Sequence, residues 1–144
     1  MPNRPSPTDP IAGTVLCIED DRASMALIEA IFEPHPGVRL LKAADGRSGI
    51  ALARAEAPDL VLLDMNLPDV GGLEVMRELN PLVAERRLRV VLLTGASFSI
   101  DVVKAMSLGA REYWPKPLDL ALVRAALARL LSASAPSAPR SGAT

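Results

Sequence analysis

Four short apolar runs of this chain each end in residues that could do chemistry. Val15-Leu16-Cys17-Ile18 is followed by Glu19-Asp20-Asp21, and Leu60 to Leu63 by Asp64-Met65-Asn66-Leu67-Pro68. Arg89 to Leu93 is followed by Thr94-Gly95-Ala96, and the weaker run Glu112-Tyr113-Trp114, stopped by Pro115, by Lys116-Pro117. Carboxylates brought together repel and raise one another's pKa unless a cation intervenes. A site with oxygen ligands only suits a hard divalent ion such as Mg²⁺. The ammonium of Lys116 and the hydroxyl of Thr94 could then bind an anion beside the metal. Metal, ammonium and hydroxyl around one carboxylate form an arrangement for phosphoryl transfer, with Asp64 as nucleophile and an aspartyl phosphate as product.

That chemistry requires a fold that brings the four run ends to one edge. The runs are too short for helices and rich in Val, Ile and Leu, as strands buried on both faces are. With Val38 to Leu41 they make five. Helical spacing of apolar residues lies between them: Arg22 to Phe32, Gly46 to Ala57, Gly72 to Asn80 ending before Pro81, Ile100 to Leu108 ending at Gly109, and Leu120 to Leu131 with Asp119 as N-cap. Strict alternation of strand and helix predicts an α/β fold, a doubly wound five-stranded parallel sheet with right-handed crossovers. Its ligand site belongs at the carboxyl ends of the strands, beside the topological switch point. In the strand order 2-1-3-4-5 the first and third strands are neighbours and their acids converge.

Composition sets the limits. The 144 residues allow one domain at ~100–200 residues per domain. Residues 1–12 and 133–144 are rich in Pro, Ser and Ala and read as flexible tails around a domain at 13–132. The hydrophobic share of 49% is enough for a core, which excludes global disorder. A net charge of −1 and 3% aromatic residues argue against a nucleic-acid partner. The single cysteine, Cys17, excludes an internal disulfide and a cysteine zinc site. No apolar run reaches the ~18–20 residues of a membrane span, and no signal peptide opens the chain, so the expected location is the cytoplasm.

From Thr14 to about Leu131 the sequence resembles the receiver domain of response regulators in two-component signalling, the CheY-like, flavodoxin-like fold. Four motifs in order carry the likeness: Val-Leu-Cys-Ile-Glu-Asp-Asp, Leu-Val-Leu-Leu-Asp-Met-Asn-Leu-Pro-Asp-Val-Gly-Gly-Leu-Glu, Leu-Leu-Thr-Gly-Ala and Gly-Ala-Arg-Glu-Tyr-Trp-Pro-Lys-Pro. The resemblance implies that Asp64 accepts a phosphoryl group from a histidine kinase or a histidine phosphotransfer protein. It implies Mg²⁺ held by Asp20, Asp64 and the backbone carbonyl of Asn66, with Glu19 assisting through water. It further implies that Lys116 pairs with the phosphoryl group, that the Lys116-Pro117 bond is cis, and that Thr94 and Tyr113 act as the switch toward a downstream target protein. Arg22, Ala23, Ala26 and Ala30 on the first helix would face the kinase. Glu19 stands where the family more often has Asp, adding a methylene. Arg111-Glu112 stands where dimerising receivers carry two acids, so a monomer is expected.

Each residue also has a plainer reading. Asp21 reads as the N-cap of the first helix. Gly71-Gly72 reads as a turn rather than a phosphate loop. Cys17 reads as inert core, Trp114 as packing on the face opposite Tyr113, and His35, between two prolines, as a solvated loop residue. The function expected is a phosphoacceptor signalling domain that catalyses only its own phosphorylation and dephosphorylation. It could stand alone or be the receiver of a hybrid sensor kinase. A Mg²⁺-dependent phosphatase or nuclease fits less well, because such phosphatases place a second Asp two residues after the nucleophile, where this chain has Asn66. A flavin site fits poorly too, since Glu19-Asp20-Asp21 would repel the FMN phosphate.

Overall fold

A computed structural model describes residues 10–86, 88–95 and 99–131. Five strands alternate with five helices: β1 (Gly13–Ile18), α1 (Arg22–Phe32), β2 (Val38–Ala43), α2 (Gly46–Glu56), β3 (Leu60–Asp64), α3 (Gly72–Arg86), β4 (Arg89–Thr94), α4 (Ile100–Ser107), β5 (Glu112–Pro115) and α5 (Leu120–Leu131). The strands form one parallel sheet in the order β2-β1-β3-β4-β5. This is the doubly wound order expected from the sequence, with the switch point between β1 and β3.

The central strands read as unbroken apolar runs because both faces of the sheet are covered. Side chains alternate across it, so each run feeds two cores. Val15, Cys17, Leu60, Leu62, Val91, Leu93 and Trp114 pack under α1 and α5. Leu16, Ile18, Val61, Leu63, Val90 and Leu92 pack under α2, α3 and α4, where Tyr113 joins them. Trp114 and Tyr113 therefore lie on opposite faces. Cys17 is fully buried. Burial, with the nearby Glu19 and Asp64 carboxylates, pushes its thiol up to about 12, so it is inert core.

Local signals account for the helix ends. Asp21 caps α1 by accepting from Ser24 N–H at 2.8 Å, and Asp45 caps α2 by accepting from Ser48 N–H at 2.8 Å. Asp119 accepts from Ala121 and Leu122 N–H at the start of α5. Ala57, in the left-handed region at φ 47°, ends α2 ahead of Pro58. Gly109, at φ 114°, follows α4. A Cβ there would also come 2.8 Å from Val83, so glycine is required twice over.

β1 and β2 extend two residues beyond their apolar runs, to Gly13 and Ala43, and two boundaries differ more from the sequence reading. The third helix does not stop before Pro81; it runs through it to Arg86. An internal proline removes one helical hydrogen bond and costs about 3 kcal/mol. Continuing the helix offsets this by packing Leu82 and Val83 against the core. Asn80 Nδ2 also donates to Leu108 O at 2.8 Å, holding α3 to the end of α4. Ile11 and Ala12, assigned by composition to the N-terminal tail, belong to the fold. Ile11 is a core residue at 6% exposure, and Ala12 N–H donates to Leu131 O at 2.9 Å. The other tail positions, 1–9 and 133–144, lie outside the described residues, as does Ala96. Among the described residues no helix is long and apolar enough to cross a membrane.

Candidate functional site

The carboxyl ends of β1, β3, β4 and β5 meet at one edge of the sheet and deliver the four polar clusters together. Ile18 pairs with Leu63, so Glu19 and Asp64 leave neighbouring strands at the same level. One carboxylate oxygen each from Glu19, Asp20 and Asp64 lies within 4.8 Å of the others. Glu19 and Asp64 are buried, while Asp20 faces solvent.

Lys116 reaches in from the segment after β5. Its Nζ is 2.8 Å from Glu19 Oε1 and 3.6 Å from Asp64 Oδ1. Burial alone would lower the pKa of this ammonium. Contact with Glu19 and the charge of Asp64 outweigh that effect and hold the pKa above the ordinary lysine value. Asp64 Oδ1 also accepts from Asn66 N–H at 3.0 Å, and Glu19 Oε2 accepts from Asp21 N–H at 3.1 Å. The Lys116 main chain is tied to β4, its N–H donating to Thr94 O at 2.7 Å, and the Lys116-Pro117 bond is cis. Thr94 is buried at the end of β4, and Tyr113 is half-buried on β5. Asn66 is exposed in the loop that follows Asp64. The expected site residues thus collect at one edge, except that Tyr113 lies within the sheet on its α4 side.

Two features go beyond the sequence reading. The resemblance implies that Glu19 assists the metal through water; its carboxylate is buried and is the nearer partner of Lys116. Asp69 had not been singled out at all. Its carboxylate accepts from Gly46 N–H at 2.8 Å and Arg47 N–H at 2.9 Å at the start of α2. Desolvation opposes ionisation there, but these N–H groups hold its pKa at about 2. No pattern in the sequence marks this pairing, because the partners are main-chain groups more than twenty residues upstream.

The acids are crowded in a partly desolvated site. Desolvation, aided by Glu19, pushes Asp64 up to about 7, against the pull of Asn66 N–H and Lys116. A raised carboxylate pKa means that the folded state binds more protons than the unfolded state between pH 4 and 7. Stability conferred at low pH is therefore lost as pH rises through that window. In the absence of divalent cations, Asp64→Asn should melt like the wild type near pH 4 and higher by roughly 4 °C at pH 8, allowing for solvent screening. Thermal melts across that range check it, and an Asp64→Asn protein less stable at pH 8 would show the carboxylate to be structural.

The residues present fit a divalent cation. Three carboxylates supply only oxygen, the ligand type of Mg²⁺. Glu19 Oε1 is buried, with the Lys116 ammonium 2.8 Å away. One ammonium among three carboxylates leaves the cluster short of positive charge, which a divalent cation would supply.

Residues 15–128 match the family model of the response regulator receiver domain, and the chain belongs to that family. It is 35% identical over 105 residues to the protein PilH of Pseudomonas aeruginosa, covering 73% of this chain and 86% of PilH. It is 28% identical over 117 residues to sporulation initiation phosphotransferase F of Bacillus subtilis, covering 81% of this chain and 92% of that protein. Several other relatives are transcriptional regulators, of which the chain spans about half the length. Among solved structures, the receiver domain of the sensor histidine kinase PA1611 of Pseudomonas aeruginosa matches with a TM-score of 0.72 and 27% identity, over 83% of this chain and 97% of that one. That structure has a magnesium ion coordinated in its active-site cleft. The chain is accordingly a receiver domain of the response regulators of two-component systems, a signalling domain.

Proposed function

We propose that Asp64 is the phosphoacceptor and that Glu19, Asp20, Asp64 and the main-chain carbonyl of Asn66 form a Mg²⁺ pocket around it. The observation that carries this is the meeting of three carboxylates with one ammonium at the carboxyl edge of the sheet. A bound Mg²⁺ would supply charge to neutralise the phosphoryl oxygens. Asp64 provides the attacking oxygen: an O–P bond forms on its carboxylate as the N–P bond of a phosphohistidine breaks and the imidazole leaves. Lys116 is the cation that can move from Glu19 to the incoming phosphoryl oxygens. Thr94, whose carbonyl already holds the Lys116 N–H, offers its hydroxyl to the same group, and Tyr113 follows on β5. The domain catalyses only its own phosphorylation and dephosphorylation.

The donor is a histidine kinase or histidine phosphotransfer protein, received on the exposed face of α1 at Arg22, Ala23, Ala26 and Ala30. Glu112 is already engaged within the chain, by Arg129 at 3.2 Å and by Trp114 Nε1 at 2.9 Å, which favours a monomer.

A small phosphodonor such as acetyl phosphate, with Mg²⁺, should add one acid-stable, base-labile phosphoryl group, read by intact mass. Absence of any label under those conditions would overturn the reading. Asp20 is the exposed member of the acid trio, so its charge serves the cation rather than the fold. Asp20→Asn should weaken Mg²⁺ binding by about tenfold or more while leaving the cation-free melting temperature unchanged or slightly higher. A clear fall in that temperature would instead make Asp20 a structural residue.

A further inference from the structure

The loop that carries Asn66 leaves β3 directly after Asp64 and enters α3 at Gly72. It is pinched at its base. Gly72 N–H donates to Met65 O at 3.1 Å, and a Cβ on Gly72 would come 2.7 Å from Met65 Cα. Near its start, Asn66 N–H holds Asp64 Oδ1. Its far side is fastened by Asp69, whose two oxygens take Gly46 N–H and Arg47 N–H on α2. The fit there is close: a Cβ on Gly46 would come 2.4 Å from Val70 Cγ2.

Asp45 satisfies only Ser48 N–H at the start of α2, and Asp69 takes the two N–H groups before it, Gly46 and Arg47. What the Asp69 carboxylate adds is a link between two elements. The same helix is seated on β1: Gly49 lies against Ile18 so closely that a Cβ would meet Ile18 Cδ1 at 2.4 Å. Ile18 immediately precedes Glu19 and Asp20. One wall of the cation pocket is therefore packed against α2 at Gly49, and the other is hydrogen-bonded to α2 at Gly46 and Arg47.

We propose that Asp69 is a positioning residue for the cation pocket: through α2 it holds the Asn66 loop in register with Glu19 and Asp20. This rests on the Mg²⁺ pocket proposed above. Bonds from main-chain N–H groups to a carboxylate are charge-assisted and strong for their size. The start of a helix also favours negative charge. Without them the loop keeps its base, the Asn66 tether and the packing of Leu67 and Val70 on the core, and cation binding must order its polar side at a cost in entropy.

The test compares Asp69→Ala, Asp69→Asn and, as control, Asp45→Ala in the full chain. Mg²⁺ dissociation constants come from amide NMR shifts, melting temperatures from cation-free protein, and amide hydrogen exchange from the same cation-free samples. Asp69→Ala should weaken Mg²⁺ binding by about tenfold, as loss of a supporting partner commonly does, and Asp69→Asn, which keeps one acceptor, by less. Exchange at the Asn66 amide should quicken in Asp69→Ala before any cation is added. Asp45→Ala should lower the melting temperature and leave Mg²⁺ affinity within about twofold. Wild-type affinity in Asp69→Ala, or an equal loss in Asp45→Ala, would overturn the role of Asp69 and leave the pocket standing. A wild type that binds no Mg²⁺ would overturn the pocket and, with it, this inference.

Discussion

Asp64→Asn should take no phosphoryl label from acetyl phosphate under conditions in which the wild type is labelled to completion. The amide oxygen carries no negative charge to form the O–P bond as acetate leaves, and the substitution removes one of the three charges that attract the cation. The fold should survive, because Asn can still accept from Asn66 N–H and Lys116 retains Glu19 at 2.8 Å. Loss of label in a stable protein therefore isolates chemistry from structure. The same carboxylate predicts the pH profile. With its pKa at about 7, most of Asp64 is protonated at pH 5, so cation-free protein should bind Mg²⁺ more weakly by about tenfold for each unit below 7 and reach a plateau above it. Added Mg²⁺ favours the ionised form and should move the midpoint of the labelling rate to lower pH. Full labelling of Asp64→Asn, mapped by mass spectrometry to Thr94 or to another acid, would remove Asp64 from the role.

What could be read in the chain and what could not divide along a physical line. The strands were legible because a doubly wound sheet buries both faces, which writes Leu60–Asp64, and β4 after its opening Arg89, as unbroken apolar runs each ending in one polar residue. The meeting of Asp64, the acid pair, Thr94 and Lys116 was legible because strand ends in such a sheet share an edge, so spacing along the chain becomes proximity in space. The third helix was misjudged at Pro81 because a local rule about proline was applied without the packing of Leu82 and Val83, which no local window contains. Ile11 was assigned to the tail because a lone apolar residue beside Pro10 has no periodicity to report; its burial depends on α1 and α5, folded later in the chain. The Glu19–Lys116 pair joins residues almost a hundred positions apart, and the Lys116 ammonium lies nearer to Glu19 than to Asp64. Asp69 was invisible for another reason: its partners are N–H groups, which every residue but proline has, so sequence cannot single them out.

The Glu19 carboxylate gives Lys116 a partner to leave, and Lys116→Arg is the substitution that tests whether leaving it matters. Lys116 is held at its main chain by Thr94 O and is flanked by Pro115 and Pro117, so movement of its ammonium has a rigid base to act on. Toward the sheet, that base continues into Trp114, paired with Leu93, and Tyr113, paired with Leu92. A phosphoryl group on Asp64 should draw the ammonium from Glu19 and strain the Thr94 end of β4, changing the surroundings of both aromatic rings. Arginine keeps the charge, so Glu19 remains compensated and the protein should fold and bind Mg²⁺. Its planar fork is larger than a compact ammonium and cannot make the same short move. Beryllofluoride with Mg²⁺, as a stand-in for the phosphoryl group, should therefore change the fluorescence of Trp114, the single tryptophan, in the wild type. In Lys116→Arg the ligand should still bind, with a change smaller by about fivefold or more. Lys116→Ala separates the two roles from the other side: it leaves the buried Glu19 carboxylate without its cation and should cost roughly 2 kcal/mol in stability, after allowance for the partly exposed ammonium. An equal fluorescence response in wild type and Lys116→Arg would reduce Lys116 to the counter-charge of Glu19. The signal would then have to pass from Asp64 through Thr94 and the cation alone.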